Sequence, residues 1–163
     1  MSKTVNKADD KVSTMKSVLR TVGLDLGVDN FGDRLKTQKV IYLLRLNPEF
    51  RKQLPYGYSM YLHGPYSPEL ASVYYNSSKK IRSEKVKVSF KSLEYGKKIA
   101  SLSNHELELI ATLNETIRVN KGKIRPSEAI ELVCNIKPQF NKSEVSKAFE
   151  HLKTLKTSYG LDL

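Results

Sequence analysis

A single cysteine, Cys134, occurs among the 163 residues. That rules out an internal disulfide and points to a reducing compartment. The longest unbroken apolar run, Val40–Leu44, is far short of the ~20 residues that a membrane-spanning helix needs. The opening MSKTVNKADDKVSTMK places no apolar stretch behind its lysines, so a secretory signal is not expected either. These absences describe a soluble, cytoplasmic protein with no membrane partner.

Catalytic signatures are missing as well. No G-x-S-x-G, H-E-x-x-H, glycine-rich phosphate loop or C-x-x-C occurs, and no E-x-K triplet sits on an expected strand. His63, His105 and His151 fall on separate elements without metal-ligand spacing. The loop LDLGVDNFGD holds three aspartates, but with Asp29 as position one Phe31 occupies the third and no glutamate closes the twelfth, so it is no calcium loop. Neither catalytic residues nor a metal or cofactor is expected.

Acidic residues are also scarce. Lysine and arginine exceed aspartate and glutamate by 28 to 17, for a net charge of +11 and a pI near 9.6. Such a surplus favours polyanionic partners through long-range attraction and counterion release. The apolar fraction, 39%, is enough for a core, and the 28% of charged residues are mixed along the chain rather than segregated.

What is present reads as a mainly helical α+β chain. Val12, Met15, Val18, Leu19 and Val22 form one helical stripe that stops at Gly23. Asp33 is placed to cap a second helix, RLKTQKVIYLLRL, whose last turns are apolar nearly all round and form the centre of the core. YGYSMYL alternates like a strand, and Gly64-Pro65 is expected to break it. Ser67 then caps a short helix, PELASVYYN, with Pro68 at its first position. In EKVKVSFKS, Val86, Val88 and Phe90 alternate with Lys85, Lys87, Ser89 and Lys91, which predicts a half-buried strand with a basic outer face. SLEYGKKIASL returns to helix, and three more helices follow, the first opened by a Ser103–Glu106 capping box and the last carrying Val145, Ala148, Phe149, Leu152 and Leu155 on one face. This divides the chain into a flexible tail at 1–9, a winged-helix-like core at 10–102 and a helical subdomain at 103–163. Cys134, among Leu132, Val133 and Ile136, is expected to be buried.

Lys36, Gln38, Lys39, Tyr42, Leu43 and Leu44 follow a pattern K-x-Q-K-hydrophobic-x-Y-L-hydrophobic. Gly64 to Leu70 read G-P-Y-S-P-E-L, and Gly96-Lys97 end a further element. In these segments, spread over residues 30 to 102, the chain resembles the YwgA-like prokaryotic regulators and, more distantly, the Panacea (SocA-like antitoxin) domain. The resemblance implies a winged-helix-like core and a role in regulation or toxin neutralisation, without catalytic residues.

The charge pattern yields the leading functional expectation. Lys79, Lys80, Arg82, Lys85, Lys87 and Lys91 gather six cations in thirteen residues. On a wing they would meet the phosphates of double-stranded DNA, while Tyr66, Ser67 and Glu69 set the adjacent helix for base reading. The chain would then be a non-enzymatic transcriptional regulator, as a homodimer. Lys142, Ser146, Lys147 and Lys153 on the last helix mark a second surface for DNA or a protein partner. The alternative is a protein-binding module of the antitoxin or adaptor type. It would use the six tyrosines between Tyr56 and Tyr75, with Tyr66 in the turn the most exposed. A nucleic-acid enzyme with a site assembled only on folding is the third reading.

Overall fold

The structure, a computed structural model, describes residues 7–25, 27, 29–75 and 84–161; for residues 7–9 it describes the backbone only. Among them are eight helices and a two-stranded antiparallel sheet. The helix α1 (Lys7–Thr21) starts inside the span expected to be a tail, buries its apolar stripe and gives way to a turn at Gly23, φ +91°. Next comes α2 (Phe31–Leu44), which begins earlier than expected because Asn30, not Asp33, is the cap. The Asn30 side chain accepts from the Asp33 N–H, and Asp33 accepts from the Asn30 amide in return. A short helix that the sequence reading overlooked, α3 (Pro48–Arg51), is capped by Asn47 and buries Phe50.

Strands β1 (Ser59–Tyr61) and β2 (Gly64–Tyr66) form a hairpin with Met60 opposite Pro65. The first strand ends ahead of Gly64-Pro65, as expected, but these residues do more than break it: they open the second strand. Proline fits because a two-stranded sheet leaves one side of each strand without a ladder. The helix α4 (Pro68–Tyr75) follows as expected, with Ser67 Oγ accepting from the Leu70 N–H.

The expected basic strand is absent: residues 84–89 have no regular structure and pair with no strand, Val86 and Val88 alternate in burial with exposed Lys85, Lys87 and Ser89, and α5 (Phe90–Ala100) begins at Phe90. Partners for the run come from helix side chains. Glu84 N–H donates to Ser17 Oγ, and Val86 N–H donates to Thr21 Oγ1 at 2.8 Å. Ser89 donates from its N–H and hydroxyl to Glu49, then accepts from Ser92 N–H as the cap of α5. Val86 and Val88 face inward as predicted, but Phe90 is turned out and 83% exposed.

The helices α6 (Asn104–Val119), α7 (Pro126–Ile136) and α8 (Lys142–Tyr159) complete the chain, and the Ser103–Glu106 capping box is present. The boundary expected at residue 102 does not divide the packing. A continuous hydrophobic cluster runs from Val12 to Leu155, and α6 lies against α2, both strands, α7 and α8. Ten successive α6 residues, Leu107–Thr116, are buried. Glu115 is tolerated among them because Arg118 grips it with two N–H groups and Tyr42 donates its hydroxyl at 2.9 Å. Gly96 is where α5 meets α1 and α3: an added Cβ would lie 2.5 Å from Val22 Cγ1. Cys134, expected to be buried, is half-buried beside the exposed Leu132 and Ile136. Among the described residues no helix is long and apolar enough to cross a membrane.

The titration of the core predicts how stability moves with pH. Burial pulls Lys39 and Lys156 down from 10.5 to about 8, so between those values the unfolded chain binds more protons than the folded one. Stability therefore rises with pH across that window. Burial pushes Tyr42, Tyr58 and Tyr95 the other way, up from 10, so above ~pH 10 the folded state holds the extra protons and stability falls. Urea midpoints should climb from about pH 7.5 to about pH 9.5 and drop beyond about pH 11. A midpoint that declines steadily from neutral pH would contradict this.

Candidate binding cleft

The two motifs singled out in the sequence grip each other. Gln38 on α2 accepts from the Ser67 N–H at 3.0 Å and donates to the Ser67 carbonyl at 2.9 Å. Lys39, next in sequence, donates its ammonium to the Pro65 carbonyl at 2.6 Å. Both side chains are buried. The K-x-Q-K helix is thus the mould for the G-P-Y-S-P-E-L turn.

Behind the hairpin a charged cluster holds its tip. Lys137, just after α7, donates to the Leu62 carbonyl and to Glu108 Oε1 at 3.0 Å. His63 Nδ1 lies 3.8 Å from the same carboxylate oxygen. Burial lowers Lys39 despite the opposing pull of Glu108, and Lys137 adds repulsion. Glu108 thus pairs directly with Lys137, and its charge also reaches Lys39. Gly64, φ +88°, admits this packing: a Cβ there would lie 2.6 Å from Thr112 Oγ1, a buried hydroxyl with no partner.

In front of the hairpin lies a cleft of about 260 Å³, lined by α2, the hairpin and α4. Its walls are aromatic: Phe31, Tyr61, Tyr66, Tyr74 and Tyr75, with Arg34, Gln38, Lys39 and His63 as polar members. Phe31 stands edge-on to His63 at 5.1 Å between centroids, Tyr61 leans on Tyr66 at 5.6 Å, and Tyr74 leans on Tyr75 at 4.9 Å. Phe31, Tyr61 and Tyr75 are 55%, 63% and 61% exposed, large values for rings of this size. Tyr66, expected to be the most exposed tyrosine, is half-buried. The exposed pair is Tyr61 and Tyr75.

Of the residues assigned to DNA, Lys79, Lys80 and Arg82 lie outside the described residues. Lys85, Lys87 and Lys91 are exposed, on the 84–89 run and the first turn of α5 rather than on a wing strand. Ser67 is fully buried and holds Gln38, so it is removed from the contact set, and Tyr66 belongs to the cleft. The helix α4, expected to read bases, turns Leu70, Ala71, Val73 and Tyr74 into the core. On α8, Lys142, Lys147 and Lys153 are exposed and Ser146 is half-buried. Phe31 and Arg34 are the cleft residues that the sequence reading missed. Their signal was present, because residues three and four apart on a helix share a face and Phe31, Arg34, Leu35 and Gln38 follow that spacing.

Among the described residues no group of three histidine, cysteine, aspartate or glutamate side chains is gathered as a metal site. No protein-family model, no curated protein and no solved structure matches the chain.

Proposed function

We propose that the chain is a non-enzymatic protein-binding module of the adaptor or antitoxin type, whose cleft takes an extended acidic segment of a partner protein. The observation that carries this reading is the open aromatic cleft, with Phe31, Tyr61 and Tyr75 exposed at its walls. Tyrosine rings give large contact areas for few frozen torsions, and that favours anchoring of a chain segment. Arg34 at the same cleft, with the Lys39 ammonium buried behind it, on a chain of net charge +11, favours acidic side chains in the occupant. Gln38 and Lys39 are already committed to the hairpin backbone, which leaves them poor candidates for catalysis.

Selection from a random-peptide display library tests this. The expected result is enrichment of peptides that set Asp or Glu beside an aromatic or aliphatic residue. A Tyr61→Ala, Tyr75→Ala double variant, with unchanged circular dichroism, should bind a synthetic winner about tenfold more weakly or worse. Retention of the same peptides by the double variant would rule the cleft out.

A second reading, duplex DNA binding in transcriptional regulation, is favoured by one observation: Lys85, Lys87 and Lys91 are exposed on one anchored run. A winged-helix-like arrangement belongs to this reading, with residues 84–91 in the place of the wing.

A further inference from the structure

The run from Glu84 to Lys91 has no regular structure until Phe90, yet it is fixed at both ends. The hydroxyls of Ser17 and Thr21 hold its first half, and the Glu49 carboxylate holds Ser89. Ser92 also donates to Glu49, and the Asn47 amide donates to Ser92 Oγ at 2.9 Å, so the pinning residue is itself held. In an extended backbone residues two apart point the same way, ~6.6 Å from one another. Val86 and Val88 pack inward, so Lys85 and Lys87 project together to solvent. Phe90 stands next, 83% exposed, with Lys91 beside it. A polar groove lined by Ser13, Thr14, Ser17, Gln53, Glu84 and Lys85 runs along the same ledge.

We propose that this ledge binds single-stranded nucleic acid, with Phe90 stacked on a base and Lys85, Lys87 and Lys91 on neighbouring phosphates. The proposal rests on the second reading above, since both need these lysines on a polyanion, but it changes the ligand. In a duplex the faces of the bases are covered by their neighbours, so a projecting ring has nothing to stack on. In a single strand every base offers a face, and stacking on an aromatic side chain is the usual device of strand-binding surfaces. Lysines serve phosphates as mobile point charges and carry little base information, so the recognition is sequence-tolerant. The Glu49 carboxylate is lowered from its ordinary value by hydrogen bonds from Ser89 and Ser92, and those bonds occupy it. Glu84 and Glu94 are the exposed acids that bound the ledge.

Fluorescence anisotropy on the full chain decides it, with three probes: a labelled oligo-dT of about 15 nucleotides, a duplex of the same length, and phosphatidylserine vesicles. The single strand should bind more tightly than the duplex. Phe90→Ala should weaken the single strand about tenfold and leave the duplex and the unfolding midpoint unchanged. A Lys85→Ala, Lys87→Ala variant should lower the salt slope for the single strand by about 1.4. Equal binding of both DNAs with no effect of Phe90→Ala overturns the inference and leaves the second reading standing. Binding to neither DNA, or to vesicles only, overturns both.

Discussion

Gly64→Ala should cost about 3 kcal/mol of folding stability, read as a fall in the urea midpoint at unchanged slope. Two effects add. At φ +88° any L side chain is strained, for about 1–2 kcal/mol. The new methyl group would also lie 2.6 Å from Thr112 Oγ1 and 3.5 Å from Lys39 Cε. Thr112 is fully buried on α6, so it has no room to retreat. The two parts separate in a double-mutant cycle. Thr112→Ala removes the hydroxyl, so the pair with Gly64→Ala should recover about 1 kcal/mol while the backbone strain persists. Gly64 also lines the cleft between His63 and Tyr66, so peptide binding should fall together with stability. A loss under about 0.5 kcal/mol would mean that the hairpin tip yields without cost.

Gln38→Leu should be nearly as damaging, at about 2–3 kcal/mol, although leucine fills a similar volume. The amide is the acceptor for the Ser67 N–H, which is buried where water does not replace it. The Ser67 carbonyl keeps its bond from the Ala71 N–H, so the unpaired donor dominates the loss. Gln38→Glu supplies the check that a packing explanation would not pass. An ionised glutamate still accepts from the Ser67 N–H but sets a carboxylate oxygen against the Ser67 carbonyl. Protonated, it regains a donor for that carbonyl. Burial and this contact both raise the carboxyl above its unfolded value, so the variant should regain stability as pH falls through that raised value. Gln38→Leu should show no such recovery. A Gln38→Glu variant with the same pH profile as Gln38→Leu would assign the residue to space-filling.

The parts of the fold that were readable in the sequence are those written by neighbouring residues. Ser67-Pro68 caps and opens α4, Ser103 and Glu106 open α6, and the stripe of α1 is buried as its spacing demands. The basic run was misread for a physical reason. Alternation at Val86 and Val88 reports a run with one side covered, and that is what the structure has. It does not report who takes the backbone N–H groups. Here the partners are hydroxyls on α1, sixty-five and sixty-seven residues away in the chain. Phe90 belonged by parity to the inner face, but the Ser89 cap starts the helix at Phe90 and turns the ring outward.

The cleft was half legible. The tyrosine cluster stood out between Tyr56 and Tyr75, and filling of the gap between strand and helices does describe Tyr56 and Tyr74, which are buried. What could not be read was which rings stay open. That depends on Phe31 coming up against His63 from a helix thirty-two positions earlier, and on Gln38 setting the turn. The wall contributed by α2 is visible only once the two motifs are seen to interlock.

The position of α6 has a practical consequence for anyone who would dissect the molecule. Expression of a shortened chain that stops near residue 102 would leave α2 without α6, take Glu115 and Asn114 away from the buried Tyr42, and cost the hairpin its tether to Lys137. Such a fragment would aggregate before it could be assayed. Reporter fusions and trimmed versions should therefore keep α6, α7 and α8 with the rest of the chain.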